Sequence, residues 1–496
     1  MGEPLAIGLD IGSSTTKAVA FDTSGKVVAT AVRDSVNIQP RPRWVEREPA
    51  IFKAMIFEVL SDLAAQLVGA DIVGISQAAH GDGIWVLDQA GELLRPGILS
   101  LDSRARAIFA EFSAEPLSSQ LIEKIGQLPM VSSAGPLLRW LKENEPEVYP
   151  RIRHLLFTKD IVRYWLTGDI AQDYTEVSSG FTDVKTQAVA PEIFDLYGVP
   201  ELAGTVPKVL QSTQLAGGLT AEAARATGLP KGLPVAAGLH DIVAGSVGVG
   251  AVHSGDVSVV AGSYCVNQYI TDAPLIGDWM TRSFVRKGLW NSMTASPSSS
   301  TNMDWFARVL LPDLVESSRA AGSGSFGFLN TILDDLPPLS GDSPYYLPFL
   351  YGSPLPVDAS AGIIGLRSWH TRADAVRAVF EGIALNHRYH LDQLPIPDAA
   401  IPKVMGGISR NPVWSQLMAD LLGREIEVSS AAEPGALGVA MAAFVAAGVY
   451  ADLDAAVASM SRPGRLVTPD ADVSLMEDRY NRYVTLLGAL TPWWEA

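Results

Sequence analysis

The sequence predicts a two-lobed α/β protein that divides near residue 250. Three observations predict it. Apolar, strand-like runs alternate with helix-like spacing along the chain. A strand, a small-residue turn and a second strand open the sequence and return in altered form near residue 255. That return falls near the midpoint of the 496 residues, so each half opens with a hairpin of a size that suits phosphate. The expected lobes are residues 1–250 and 251–496.

The elements follow in order. Residues 5–22 read LAIGLDIGSSTTKAVAFD: Leu5, Ile7 and Leu9 alternate with small residues, Gly12-Ser13-Ser14 interrupts the run, and residues 18–21 are apolar again. That is a β-hairpin, and a third strand is expected at 27–32 after the turn at 23–25. Helical spacing begins near Pro49, with Ile51, Met55, Val59 and Leu63 on one face. Residues 72–76 read as a buried strand, 136–143 and 158–166 as helices, and 235–238 as a strand before a helix or turn at 241–247. Residues 255–270, GDVSVVAGSYCVNQYI, repeat the hairpin pattern, and Asp10-Ile11-Gly12-Ser13 aligns with Val260-Ala261-Gly262-Ser263. A strand at 404–406 and a long helix from Gly435 are expected to close the second half, with a Gly- and Ser-rich loop at 320–327 inside it.

Composition narrows the class. Hydrophobic residues are 48% and charged residues 18%, which excludes a disordered chain. Lys plus Arg is 37 and Asp plus Glu is 54, so the net charge is 37 − 54 = −17. Such an excess repels polyanions, so neither nucleic acid nor an anionic membrane is an expected partner. A small phosphorylated ligand stays compatible, because a few backbone amides hold one locally. The lone Cys265 permits no internal disulfide and no cysteine-based zinc site, and points to a reducing, cytoplasmic setting. No signal peptide is visible at the N-terminus. The apolar run at 436–451 is rich in Ala and Gly and reads as a buried helix between two sheets, not a bilayer span.

Four motifs offer chemistry. In Asp10-x-Gly12-Ser13-Ser14-x-x-Lys17, consecutive amides and two hydroxyls suit phosphate oxygens, Lys17 adds charge, and Asp10 suits a water-bridged magnesium ion. The same residues also make an ordinary polar turn, and the Walker ending is absent. In Gly238-Leu239-His240-Asp241, Asp241 follows a strand and suits proton acceptance, though this motif alone favours the capping of the next helix. Gly406-Gly407-Ile408-Ser409-Arg410-Asn411-Pro412 leaves a flat gap for a planar base, with Asn411 also suited to cap a helix. Gln77-Ala78-Ala79-His80-Gly81-Asp82-Gly83 offers polar groups to a polyhydroxylated ligand, joined by Asp102 and Trp44; Asp82 alone reads as part of a solvated loop. No G-x-S-x-G elbow or paired-histidine metal spacing occurs, and His387 with His390 reads as a polar helix face.

Taken in order, these motifs resemble the FGGY family of carbohydrate kinases over essentially the whole chain. A C-terminal signature agrees: Ala361-x-Ile363-x-Gly365-Leu366, then Asp374 and Ala378-Val379-Phe380-Glu381, departing at Ala375 where a larger aliphatic is usual. The first family signature keeps Trp140-Leu141 and Glu143-Asn144 but has Leu137 where a lysine is common and Ala134 where Ser, Thr or Pro is common.

The resemblance implies an actin-like ATPase (ribonuclease H-like) α/β fold, two lobes around a central cleft, with ATP and Mg2+ as cofactors. It implies Asp10 on the magnesium side, Gly12, Ser13, Ser14 and Lys17 as a first phosphate loop, and Gly262, Ser263 and Tyr264 as a second, with Tyr264 a departure. Gly406, Gly407 and Asn411 are expected to flank adenine, Asp241 to act as general base, and His80, Gly81, Asp102 and Asp241 to meet the substrate. The loop at 77–83 and the segments at 98–105 and 294–306 look most like kinases of L-xylulose-type ketopentoses, and erythritol kinases have similar segments. Glycerol is less expected, since its kinases carry Arg-Glu where this chain has His80-Gly81. A homodimer is also implied. A different class stays open beside it: a non-catalytic or filament-forming protein of the same ATPase fold, because fold does not set function.

Overall fold

The computed structural model describes residues 2–323, 327–329, 332, 339–355 and 357–495. The chain forms two compact units. The first holds the residues up to Ser254 together with Ile270–Ser292 and Ala431–Arg462; the second holds Gly255–Tyr269, Met293–Ser430 and the residues from Pro463 on.

The first unit is built on a sheet in the order Leu215–Gly218, Pro234–Ala236, Asp71–Ala79, Pro4–Ile11, Thr15–Phe21, Val27–Asp34, with Leu239–His240 also paired to Asp71–Ala79. The predicted hairpin is present: Pro4–Ile11 and Thr15–Phe21 are antiparallel, with Asp10 opposite Lys17. Asp71–Ala79 runs parallel to Pro4–Ile11, and Pro234–Ala236 and Leu239–His240 run parallel to Asp71–Ala79.

Leu5, Ile7, Leu9 and Ile11 point to one face of the sheet, because successive strand side chains alternate. There they pack with the helix Pro49–Gln66 through Phe52, Ile56, Val59, Leu60 and Leu63. That stripe is centred near Phe52 and Ile56. Ile51, which the spacing placed on the buried face, sits about 100° round the helix from its centre and is 48% exposed. A second apolar cluster, including Phe112, Leu137, Leu141, Phe157, Phe181 and Tyr197, fills the part of this unit between residues 84 and 202.

The helix Pro434–Ala446, expected to close the second half, belongs to the first unit. It packs on Pro4–Ile11, Asp71–Ala79 and the helix Asp241–Gly248. Its Ala and Gly content has a steric cause. A Cβ on Gly8 would overlap the carbonyl oxygen of Ala436, and one on Gly438 would overlap that of Ala244, so the backbones approach too closely for any side chain. Among the described residues no helix is long and apolar enough to cross a membrane.

The second unit repeats the hairpin device. Val257–Ala261 pairs antiparallel with Cys265–Thr271, whose residues up to Tyr269 belong to this unit. It pairs parallel with Lys403–Gly406, and Ile426–Val428 and Arg465–Val467 continue the sheet. The helices Arg372–Leu391, Pro412–Leu422 and Val473–Trp494 contribute Val379, Phe380, Leu417, Met418 and Tyr483 to its core. In both hairpins the first strand has a parallel partner from later in the chain. Of the loop expected at 320–327, residue 320 ends a helix, 321–323 turn, and 324–326 lie outside the described residues.

His387 and His390 do not form a solvated polar face. Both are buried: His387 Nδ1 lies 2.9 Å from Asn267 Oδ1 and 3.2 Å from Cys265 Sγ, and His390 Nε2 lies 2.8 Å from Ser296 Oγ. Burial lowers both imidazoles to about 3, so they pack as neutral hydrogen-bonding groups.

The close approach at Gly438 gives a direct test. Gly438→Ala should destabilise the protein by about 1–3 kcal/mol through overpacking. Gly488→Ala, in the helix Val473–Trp494 with open space around it, should be neutral or stabilising. Denaturant midpoints of the two variants against the parent chain check this.

Candidate active site

The register of three parallel strands gathers the site. Asp10 and Ile11 stand opposite Ala78 and Ala79, which in turn stand opposite Leu239 and His240. The residues that follow are Gly12, His80 and Asp241. The His80 N–H donates to the Ile11 carbonyl at 3.1 Å, holding two of these exits together. The carboxyl edge of a parallel sheet is where open α/β proteins place ligands.

The first turn is arranged so that its amides face outward. The Gly12 N–H closes the hairpin on the Thr15 carbonyl at 2.9 Å. The turn's carbonyls are held from behind: Ser35 Oγ donates to Gly12 at 3.1 Å, Asn37 Nδ2 to Ser13 at 2.9 Å, and the Ser35 N–H to Ser14 at 2.8 Å. Buried Arg47 reaches the Gly12 and Ser13 carbonyls and donates to Asn37 Oδ1 at 3.0 Å; burial lowers its guanidinium to about 10, still charged. With the carbonyls engaged, the N–H groups of Ser13 and Ser14 have no acceptor among the described residues. Two adjacent free amides make an anion cradle. Lys17, on the next strand, pairs with Glu433 at 2.8 Å.

Behind this turn sit two carboxyls whose ionised forms are disfavoured. Burial pushes Asp10 up to about 6, against the pull of Lys17 and with a further push from Glu433. Asp241 is pushed up to about 7, by burial first, then by Asp10, with Asp82 adding to it. About a third of its side chain still meets solvent. The capping alternative does not describe it: Asp241 is the first residue of its helix, His240 holds the cap position, and its carboxylate accepts from the adjacent Ile242 N–H at 2.7 Å. A carboxylate with a pKa near neutrality, reachable from solvent, suits proton acceptance.

Two neutral imidazoles adjoin it. His80 is held to about 3 by burial and by Arg47, with Ser100 Oγ 3.3 Å from Nδ1 and Nε2 buried without a partner among the described residues. His240 is lowered well below the usual imidazole range by burial, with Arg282 and Lys159 adding to it. Gly81 has a packing reason to be glycine, since a Cβ there would overlap the His240 ring.

Several functional residues were not visible in the sequence. Asp82, expected in a solvated loop, is buried. Its Oδ1 accepts from Ser133 Oγ at 2.9 Å, and Arg282 lies 3.4 Å from Oδ2. Thr175 Oγ1 donates to Asp173 at 2.8 Å and accepts the His240 N–H at 2.8 Å, fixing the backbone just before Asp241; Asp173 in turn pairs with buried Lys159 at 2.6 Å. Asp102 is engaged by its own neighbours. Its oxygens accept the Val45 N–H at 2.7 Å, the Arg104 N–H at 2.9 Å and the Arg104 guanidinium at 2.9 and 2.8 Å. Four donors occupy the usual acceptor sites of this carboxylate. A hollow lined by Tyr149, Arg153, Glu201 and Lys208 lies on other elements of this unit.

The second unit uses the same turn chemistry. Ser300 Oγ and N–H donate to the Gly262 carbonyl at 2.6 and 2.9 Å, and Thr301 Oγ1 to the Ser263 carbonyl at 3.2 Å. The Ser263 and Tyr264 N–H groups have no acceptor among the described residues. Ala261 is in register with Gly406, whose φ of +103° requires glycine, and Gly407 approaches Ser300. Asn411 caps its helix through the Trp414 N–H at 3.0 Å, with Pro412 in the first helical position.

Two hairpins with amide-lined turns, each beside a parallel strand, define an actin-like two-domain fold built to handle phosphate. Comparison with known sequences agrees. Residues 5–248 match the N-terminal domain, and residues 266–447 the C-terminal domain, of the FGGY family of carbohydrate kinases. The chain belongs to this family, and the alternative of a non-catalytic assembly protein falls away. Among its relatives, the L-xylulose/3-keto-L-gulonate kinase of Escherichia coli (strain K12) is 32% identical over 98% of this chain and 97% of its own. The probable L-xylulose kinase of Pasteurella multocida (strain Pm70) is 30% identical over 98% of each. The crystal structure of xylulose kinase from Rhodospirillum rubrum superposes with a TM-score of 0.87 at 28% identity, covering 99% of this chain and 100% of that one.

The raised carboxyl sets a pH dependence. Protonated Asp241 is too weak a base to take a hydroxyl proton, so with Asp241 as acceptor log kcat/KM for the sugar should fall with unit slope below about pH 7. A profile of sugar-dependent ADP release between pH 5 and 9 checks this; a limb near the ordinary aspartate range would contradict it.

Proposed function

We propose that this kinase transfers the γ-phosphoryl group of ATP to a hydroxyl of a ketopentose of the L-xylulose type, with Asp241 as general base. One observation carries the reading. The three strand exits place Asp241 in the electrostatic field of Asp10 and next to a neutral histidine with an unpartnered nitrogen. The L-xylulose relatives support the substrate class, because they match this chain from end to end.

In this mechanism the sugar hydroxyl donates a hydrogen bond to the Asp241 carboxylate. As the oxygen–phosphorus bond forms and the bond to the β-phosphate oxygen breaks, Asp241 takes the hydroxyl proton and ADP leaves. The free amides of Ser13 and Ser14, supported by Gly12, hold phosphate oxygens, and Lys17 supplies positive charge. His80 positions the sugar through its unpartnered nitrogen. Asp102 acts at one remove, by fixing Arg104 and the Val45 backbone. In the second unit the Gly262–Ser263 turn binds phosphate, and Gly406, Gly407 and Asn411 flank the adenine. In sequence terms, sugar binding falls to residues 1–250 and nucleotide binding to 251–496, with Ile270–Ser292 and Ala431–Arg462 returning to the first unit.

The residues present fit magnesium. Asp10 is a hard oxygen donor to which no described residue donates a hydrogen bond, and Gly435 leaves space against its Oδ2 that a side chain would fill. Mg2+ bound there, through Asp10 and water, would neutralise charge on the phosphates. We further assign the protein to the cytoplasm and, from the family resemblance, to a homodimer, which sedimentation tests.

Two measurements test the reading. Coupled ADP release across ketopentoses, tetritols and pentitols should give the highest kcat/KM with L-xylulose; a preference for erythritol would move the substrate class. Asp241→Asn should lose roughly 10²–10⁴ in kcat while still binding ATP. Near parental turnover in that variant would remove Asp241 from the chemistry.

A further inference from the structure

Beside Asp241 lies an ion pair that the mechanism above does not use. Asp82 leaves the strand Asp71–Ala79 two residues after His80 and has a φ of +58°, in the left-handed region that aspartate and asparagine tolerate better than most residues. Its backbone N–H donates to Glu176 Oε1 at 3.2 Å, and Ser133 Oγ donates to its Oδ1 at 2.9 Å. The carboxylate is therefore aimed and fixed. Arg282 comes from a segment 200 residues away. Its Nε donates to Gln127 Oε1 at 2.9 Å, and Gln127 is tied in turn to the Ser179 carbonyl. The guanidinium is thus held by a neutral amide, and its contact with Asp82 is one long approach of 3.4 Å, not a two-point fork. Its Nη1 has no acceptor among the described residues.

Both side chains are about 95% buried, so the charge of each matters to whatever shares the site. Their reach includes the catalytic carboxyl: Asp82 raises Asp241 and Arg282 lowers it. His80, with its buried and unpartnered Nε2, is two residues from Asp82.

We infer that Asp82 and Arg282 form a charge gate for the sugar. With Asp82 ionised, the guanidinium is neutralised in place and the site takes an uncharged polyhydroxylated chain, whose hydroxyls can accept from Arg282 and donate to Asp82. A sugar acid is refused, because its carboxylate would meet Asp82. Without the Asp82 charge, Arg282 offers a carboxylate the vacant side of its fork. The inference rests on the sugar-site reading above and adds to it the basis of selection between neutral sugars and sugar acids.

The test compares kcat/KM for L-xylulose and for a six-carbon 3-keto sugar acid in the parent chain, in Asp82→Asn and in Asp82→Asn with Arg282→Gln. Asparagine keeps the left-handed backbone and removes only the charge. Asp82→Gly, which takes that φ without strain, gives the same reading should the first variant fold poorly. Asp82→Asn should raise the ratio of sugar acid to ketopentose at least tenfold, mainly through KM, and the double variant should lose that gain. A ratio unchanged within about twofold in a folded variant overturns the gate. So does a gain that persists without Arg282, since the guanidinium would then not be the receptor. Those results leave the kinase reading intact if the parent still phosphorylates the ketopentose. A parent with no sugar-dependent ADP release overturns both.

Discussion

The structure depends on burying several like charges at one edge of one sheet. Asp10, Asp82 and Asp241 sit in a common field, and burial disfavours the charged forms of Asp10 and Asp241 there. Such a cluster survives only where counter-charges and fixed donors surround it. Lys17 and Arg282 supply the charges, and the Ser133 hydroxyl and the Glu176-tethered backbone fix the geometry of Asp82. The parallel register is what makes the cluster possible, because it ends three strands at the same level and so brings residues from three distant parts of the chain to one line. The raised Asp241 is the product of that burial and crowding.

The second device is the fixing of carbonyls so that amides remain free. In the first hairpin Ser35, Asn37 and Arg47 hold the carbonyls of the turn; in the second, Ser300 and Thr301 do so. The donors differ in type and in position along the chain, yet both turns end with adjacent amides lacking acceptors among the described residues. An anion cradle built from backbone amides needs no special side chain in the turn itself. The glycines that matter most lie behind the turns. Gly8 and Gly438 let the helix Pro434–Ala446 press on the sheet, and Gly406 admits the left-handed bend against Ala261.

Local features of this molecule were legible in the sequence and long-range ones were not. The hairpin at residues 4–21, the strand before His80 and the helix beginning at Asp241 announce themselves through alternation and turn residues, which are properties of neighbours. The partners of those residues are not neighbours. Glu433 lies 416 residues from Lys17, and Arg282 lies 200 from Asp82, and no spacing rule reaches so far. Asp82 reads as solvated because glycines flank it; its burial comes from Arg282, Gln127 and Ser133, which the fold alone supplies. Asp102 shows a local partner that the sequence reading passed over. Its position beside the sugar-loop motif suggests ligand contact, whereas Arg104, only two residues on, takes much of its bonding capacity. The apolar helix after Glu433 was recognisable as buried, but which unit it packs in depends on the glycines it meets.

The coupling of Asp241 to Asp10 is the central physical claim, and a carboxyl-detected NMR titration measures it most directly. The Asp241 signal is assigned by its disappearance in Asp241→Asn, and the titration is then repeated in Asp10→Asn. The account predicts a midpoint near 7 in the parent chain that moves down once the Asp10 charge is gone. A midpoint in the ordinary aspartate range in the parent chain, or one that does not move in the variant, would contradict it.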